Sequence, residues 1–185
     1  MATLFVDKID PQSGTTLSLG SSGDTLQATT GAINNIGIGM ADQWRLTASR
    51  TSNGDITSNL ERVDNSSFNY IGTGMTESSG IFTFPSTGIY LVTAVAMLNA
   101  TNDGISFRIK ATTDNSNYSI VSNAHFISNS GNLGGTSIPS SYLIDVTDTS
   151  NVKVVFTIDS MTNGNLYGDT DQNKTFFTFI RLGDT

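Results

Sequence analysis

Residues 80–98 read G-I-F-T-F-P-S-T-G-I-Y-L-V-T-A-V-A-M-L. From Gly88 onward every residue but Thr93 is apolar or small. At the two-residue period of a strand, Ile89, Leu91, Val95 and Met97 fall on one face. Tyr90, Val92, Ala94, Ala96 and Leu98 fall on the other. Successive side chains of a strand point to opposite faces of its sheet. A strand apolar on both faces therefore needs two coverings. A two-layer sandwich has one interior and supplies one of them. The second is either a loop of the same chain or another subunit, and exposed apolar patches of that size are unusual on monomers.

The last strand-like run repeats the pattern. In Thr175–Leu182, Phe177 and Phe179 oppose Phe176, Ile180 and Leu182. Between and before these two runs, strand-length segments recur at Gln43–Ser49, Ser67–Ile71, Gly80–Phe84, Ile105–Thr112, Asn117–Ile127, Ser140–Val146 and Val152–Ile158. The clusters SNGD, TESSG, PSTG, NATNDG, TDNSN, SGNLGG, TDTSN and TNGN separate them and read as turns. The segment Ile105–Lys110 alternates cleanly, with Ile105, Phe107 and Ile109 against Ser106, Arg108 and Lys110, as a half-buried strand should. No helical period appears. Many short strands with regular turn signals predict an all-β sandwich or barrel.

Composition agrees. The 185 residues suffice for one medium domain plus an appendage. Charged residues make up 14%, against the usual quarter, and Gly, Ser, Thr and Asn take their place. The net charge is −7 with nine basic residues and no basic cluster, which disfavours nucleic acid and anionic membrane surfaces as partners. Cysteine is absent, so disulfides, thiolate metal sites and cysteine nucleophiles are excluded. The opening MATLFVDKID carries no long apolar run of the secretory kind.

The first forty residues differ from the rest. After the short apolar run Ala2–Val6, the segment Asp7–Thr29 alternates Leu17 and Leu19 with Thr and Ser between glycine corners. It has too few apolar residues for a core of its own and needs a partner surface. Residues 30–40, TGAINNIGIGM, read as a linker. The expected organisation is an N-terminal segment over 1–40 and an all-β head over 41–185.

The run G-I-F-T-F-P-S-T-G-I-Y at 80–90 resembles the G-x-F-T-x-P-x-x-G-x-Y signature of the C1q/tumour-necrosis-factor superfamily. The stretch F-F-T-F-I-R-L at 176–182 is similar to that family's aromatic last strand. The resemblance implies a jelly roll of about ten strands assembled as a threefold trimer. It places Ile89, Leu91, Thr93 and Val95, with Phe176, Thr178 and Ile180, toward the trimer axis. Tyr90, Val92, Phe177 and Phe179 then fill the sandwich core.

The N-terminal run I-D-P-Q-S-G-T-T-L-S-L-G-S-S-G-D-T-L at 9–26 resembles segments of tailed-bacteriophage fibre and virion-surface proteins, of the marine-phage type. That resemblance implies a virion anchor or stalk, with Leu4, Phe5, Val6, Ile9, Leu17 and Leu19 as its contact residues. The expected role is a non-enzymatic homotrimeric knob on the virion surface, displaying its head for host attachment or capsid decoration. Its partners would be capsid, collar or tail proteins and a host-surface glycan or receptor. The alternative is a soluble C1q-like lectin.

Chemistry-bearing residues are few. His125 is the single histidine, in the strand-like run NAHFIS, and no G-x-S-x-G elbow accompanies it. A jelly-roll hydrolase would have to use it. Asp169, Asp171 and Asn173 begin a D-x-D-x-N calcium pattern, but Lys174 stands where a glycine is required. Calcium is thus a candidate cofactor only at these three positions. Trp44 opens the first strand of the head as a core or interface anchor, or as a sugar-stacking ring.

Overall fold

A computed structural model describes residues 38–185, and for residues 130–134 their backbone alone. The described residues form ten strands and no helix. They are β1 (Met40–Leu46), β2 (Gly54–Asp55), β3 (Leu60–Arg62), β4 (Thr76–Ser78), β5 (Ile81–Thr83), β6 (Gly88–Thr112), β7 (Ser119–Val146), β8 (Lys153–Asp159), β9 (Gly164–Leu166) and β10 (Phe176–Gly183). All pairings are antiparallel.

The two longest strands organise everything else. β6 pairs with β7 along nearly its whole length, from Gly88↔Val146 to Ala111↔Ser119. On its other edge β6 takes three partners in turn. It takes β10 at Ile89–Val95, β9 at Leu98–Ala100 and β8 at Ser106–Thr112. The sheet thus curls into a jelly roll of two layers. One layer runs β3, β1, β10, the first half of β6 and the last part of β7. The other runs β4, β5, β8, the second half of β6 and the first part of β7, with β2 also on β8.

The curl happens where turns were expected. NATNDG, residues 99–104, and SGNLGG, residues 130–135, do not break the strands. They lie inside the β6–β7 ladder, which shifts register between Leu98 and Ala100 and between Thr101 and Asp103. Asn102 there has a left-handed backbone, φ 49°. An extra residue in one strand bends it and swaps the residues facing each side. The swap is visible in burial. Tyr90, Val92, Ala94, Ala96, Leu98 and Ala100 are buried at even positions, then Ile105, Phe107, Ile109 and Ala111 at odd ones. The polar clusters serve as corners, because Asn and Gly tolerate the backbone a bulge requires.

Other boundaries moved as well. β1 starts at Met40 and stops at Leu46, earlier at both ends than Gln43–Ser49. Ser67–Ile71 makes only a single bridge, Ala41↔Ile71. The two- and three-residue strands β2, β3, β4 and β9 are too short for a period-2 signal.

Four fixed positions of the run at 80–90, Gly80, Phe82, Gly88 and Tyr90, have a physical reason in the fold. Ser79 and Gly80 form the two-residue turn between the paired Ser78 and Ile81, with φ of 52° and 83°. Such a turn needs φ > 0 at both positions. A Cβ on Gly80 would stand 2.2 Å from the Ile56 carbonyl oxygen. Gly88, at φ 139°, would put a Cβ 2.5 Å from the Gly183 carbonyl oxygen, so β10 could not close on β6. Phe82, Phe84 and Tyr90 are buried, and the Tyr90 hydroxyl donates to the Ser86 carbonyl at 3.0 Å.

The layers meet through aromatic rings. Phe82 of β5 and Phe156 of β8 face Phe177 and Phe179 of β10. Ring centroids are 5.1 Å apart for Phe82–Phe179 and 4.0 Å for Phe156–Phe177. Tyr90, Val92, Phe177 and Phe179, all expected in the core, are buried there. Ala94 sits opposite Phe177 in register, so a small side chain makes room for a large one.

Candidate interaction face

The strand period that buries Tyr90, Val92, Phe177 and Phe179 turns Ile89, Leu91, Thr93, Val95, Phe176, Thr178 and Ile180 outward. All seven are half-buried in the isolated protomer. Strand register sorts their neighbours into rows. Ile71, Ala41, Ile180, Leu91 and Leu143 form one apolar row across the layer. Gln43, Thr178, Thr93 and Ser141 form the next. Arg45, Phe176, Val95 and Pro139 form the third. At the two ends of the first row, Ile71 and Leu143 are 48% and 57% exposed.

Arg45 and its register partner Glu61 are the charged residues of these rows, and they pair with each other. The Arg45 side chain is 1% exposed and donates to Glu61 Oε1 at 2.7 Å, Asp64 Oδ1 at 2.6 Å and Asn65 Oδ1 at 2.6 Å. A buried guanidinium is tolerated only when paired and fully hydrogen-bonded in this way.

A second ionic centre holds the edge of this layer from inside. The Asp42 carboxylate is buried and accepts from Arg62 Nε at 3.0 Å, Trp44 Nε1 at 3.0 Å and the Met75 amide at 2.8 Å. Arg62 also donates to the Met75 carbonyl at 2.6 Å, and its guanidinium lies 4.9 Å from the Trp44 ring and 4.7 Å from the Tyr70 ring. Trp44 is therefore an anchor packed between Arg62 and the edge-on ring of Phe82, 5.5 Å away.

His125 makes a 2.9 Å bond between Nδ1 and Ser106 Oγ. Asp159, the register partner of Ser106 on β8, is paired with Arg108 instead of His125. At the calcium-like segment, Asp169 accepts from the Asp171 amide and is paired with Lys174 Nζ at 2.7 Å. The Lys174 bond and the backbone amides hold the Asp169 carboxyl down to about 2. Asn173 turns toward β1 and donates to Gln43 Oε1 at 2.6 Å. Among the described residues no group of three or more His, Cys, Asp or Glu side chains is placed to hold a metal ion. The expected anchor residues Leu4, Phe5, Val6, Ile9, Leu17 and Leu19 lie outside the described residues.

Sequence reading missed Ala41, Gln43, Ile71, Ser141 and Leu143 as members of the face. One signal was present: Tyr142, Leu143, Ile144 and Val146 are apolar at both parities, as in β6 and β10.

A cavity of about 450 Å³ opens beside Gln43, lined by Val63, Asn65, Ser67, Phe68, Gln172 and Asn173. Amides and a hydroxyl surround a small apolar wall there, with no charged group in the lining.

No family profile matches the chain, and no curated protein sequence is similar to it. Solved structures are similar in fold. Mouse APRIL at pH 8.5 superposes with a TM-score of 0.57 at 12% identity, covering 77% of this chain and 98% of that one. The same mouse protein at pH 5.0 gives 0.55 at 12% identity, with the same coverage. Eiger TNF from S. frugiperda gives 0.54 at 15% identity, covering 79% of this chain and 94% of that one. The described head is a jelly roll of the tumour-necrosis-factor type.

Proposed function

We propose that this chain is a non-enzymatic virion structural protein of a tailed phage. Three copies assemble through the outward face of β1, β10, β6 and β7 into a knob. Residues 1–40 dock the knob on capsid, collar or tail proteins, and the jelly roll is displayed at the virion surface for host attachment or capsid decoration.

The observation that carries the assembly is the outward face itself. One of its three rows is wholly apolar, a second holds Phe176, Val95 and Pro139, and the charges at that row's end, Arg45 and Glu61, are paired with each other. Water gains nothing from such a face, whereas covering it removes apolar area at roughly 25 cal/mol per Å². The jelly-roll fold and the run at 80–90 support a threefold arrangement. The virion address is supported by the resemblance of Ile9–Leu26 to phage fibre segments. An acidic chain of net charge −7 also suits a displayed surface better than a nucleic-acid partner.

Two measurements test this reading. Light scattering of the full chain at micromolar concentration should give a trimer mass, and a monomer would end the assembly proposal. Imaging of phage particles with labelled antibody against the head should place it on the capsid, collar or tail. Absence from purified particles would remove the virion role.

The amide-lined cavity favours a second reading, a C1q-like lectin taking a neutral saccharide. Binding of the full chain to a glycan array, without association with particles, would establish that reading in place of the first.

A further inference from the structure

We infer that the polar row Gln43, Thr178, Thr93 and Ser141 sets the register in which copies of this chain meet, by hydrogen bonding to the same row of neighbouring copies. This inference rests on the trimeric reading above and goes beyond it, because it names which residues select one arrangement.

The row is inset between two apolar ones. Ala41, Ile180 and Leu91 flank it on one side, Phe176 and Val95 on the other. Apolar contact is non-directional. Two such faces could slide along the strands by two residues, about 7 Å, and still bury oil against oil. A polar row between them removes that freedom. After a slide, its hydroxyls would lie against Leu91, Ile180 or Phe176, and each buried polar group left unpaired costs about 1–3 kcal/mol. Polar residues inside apolar seams fix register in coiled coils by this penalty.

The bonding within the protomer leaves the row ready to act. Asn173 donates to Gln43 Oε1 at 2.6 Å, and Gln43 Nε2 donates to Thr178 Oγ1 at 2.9 Å. Thr178 therefore accepts inside the protomer, and its own hydroxyl proton is free to point outward. Among the described residues, the Thr93 and Ser141 hydroxyls have no partner within the protomer.

Symmetry then favours a second copy of this chain as the occupant. Around a closed axis the same level of each protomer meets itself. A hydroxyl is both donor and acceptor, so it can pair with its own kind. A carboxylate or an ammonium cannot, and the polar row contains neither.

The test uses the full chain and three variants. Thr93→Val keeps the shape, deletes the hydroxyl and breaks no bond inside the protomer. Native mass spectrometry should show one stoichiometry for the wild type and additional species beside the trimer for Thr93→Val. Thr93→Ser should restore the single species. Ser141→Ala, at a position exposed in the protomer, should act in the same direction more weakly, and it decides the question if Thr93→Val fails to fold. A single trimer for both Thr93→Val and Ser141→Ala overturns the register role while leaving the trimer standing. A monomeric wild type overturns the trimer and this inference with it.

Discussion

The two layers of this jelly roll share one hairpin and treat their outer faces in opposite ways. In the β10 layer, β6 presents Ile89, Leu91, Thr93 and Val95 outward. In the β8 layer, the same strand presents Ser106, Arg108 and Lys110. There Lys110 pairs with Asp55 at 2.7 Å, and Arg108 pairs with Asp159. Beneath them, Val155 and Thr157 of β8 are 4% and 7% exposed, so that layer closes its outer face with its own charged side chains. The β10 layer has no such cover. The contrast separates a face covered by its own charged side chains from one left largely apolar, on a single continuous strand, and the corner at 99–104 divides the two.

The largest test of that contrast is a charge placed on the apolar face. Leu91→Asp should abolish assembly, because each protomer would bury an unpaired carboxylate at a cost on the order of several kcal/mol. Light scattering would then read the monomer mass, with the β-sheet circular dichroism retained. An intact trimer would mean that the face is not the contact.

The corner comes next. The Asp103 carboxylate accepts from the Gly104, Thr162 and Asn163 amides and from Thr162 Oγ1, at 2.8–2.9 Å. Burial pushes its pKa up, but the bonds from Asn163, Thr162 and Gly104 outweigh it and hold the carboxyl below its ordinary value. Asp103→Ala should cost about 2 kcal/mol and lower the melting temperature by about 5 °C. The same group sets a pH dependence. A carboxylate whose folded pKa is depressed adds stability above its unfolded value of about 4, and that stability disappears as pH falls through the folded value. Asp169, held down to about 2, acts in the same window. Wild-type melting temperature should therefore fall below about pH 4, and Asp103→Ala should flatten part of that slope.

The smallest effect belongs to the charged layer. Lys110→Ala removes a partly exposed pair and should cost less than about 1 kcal/mol, with the oligomer unchanged. A loss of assembly from Lys110→Ala would reverse the assignment of the two faces.

What could be read from the residues follows from how local each cause is. The alternation in Gly88–Leu98 and Thr175–Leu182 is a period-2 signal within one strand, so both faces were visible. The turn at Ser79–Gly80 depends on adjacent residues and was visible too. The corners were not, since NATNDG and SGNLGG carry the residues of turns and only cross-strand pairing shows them to be bulges. Nor was the Asp42–Arg62 centre legible. Its bond spans twenty residues and is fixed by the β1–β3 register, which places Trp44 opposite Arg62. The row ends, Ile71 and Leu143, come from segments joined to the face by pairing alone.

The antiparallel match of Met40 with Arg181 carries one more consequence. The chain enters the jelly roll on β1 and leaves it on β10, side by side. The Leu98–Leu166 pair lies eight residues further along β6 from Tyr90, about 27 Å away. The head therefore has a base and a tip. Asn99–Gly104 and its neighbour Asn163 form the tip, at the opposite end from the paired Met40 and Arg181.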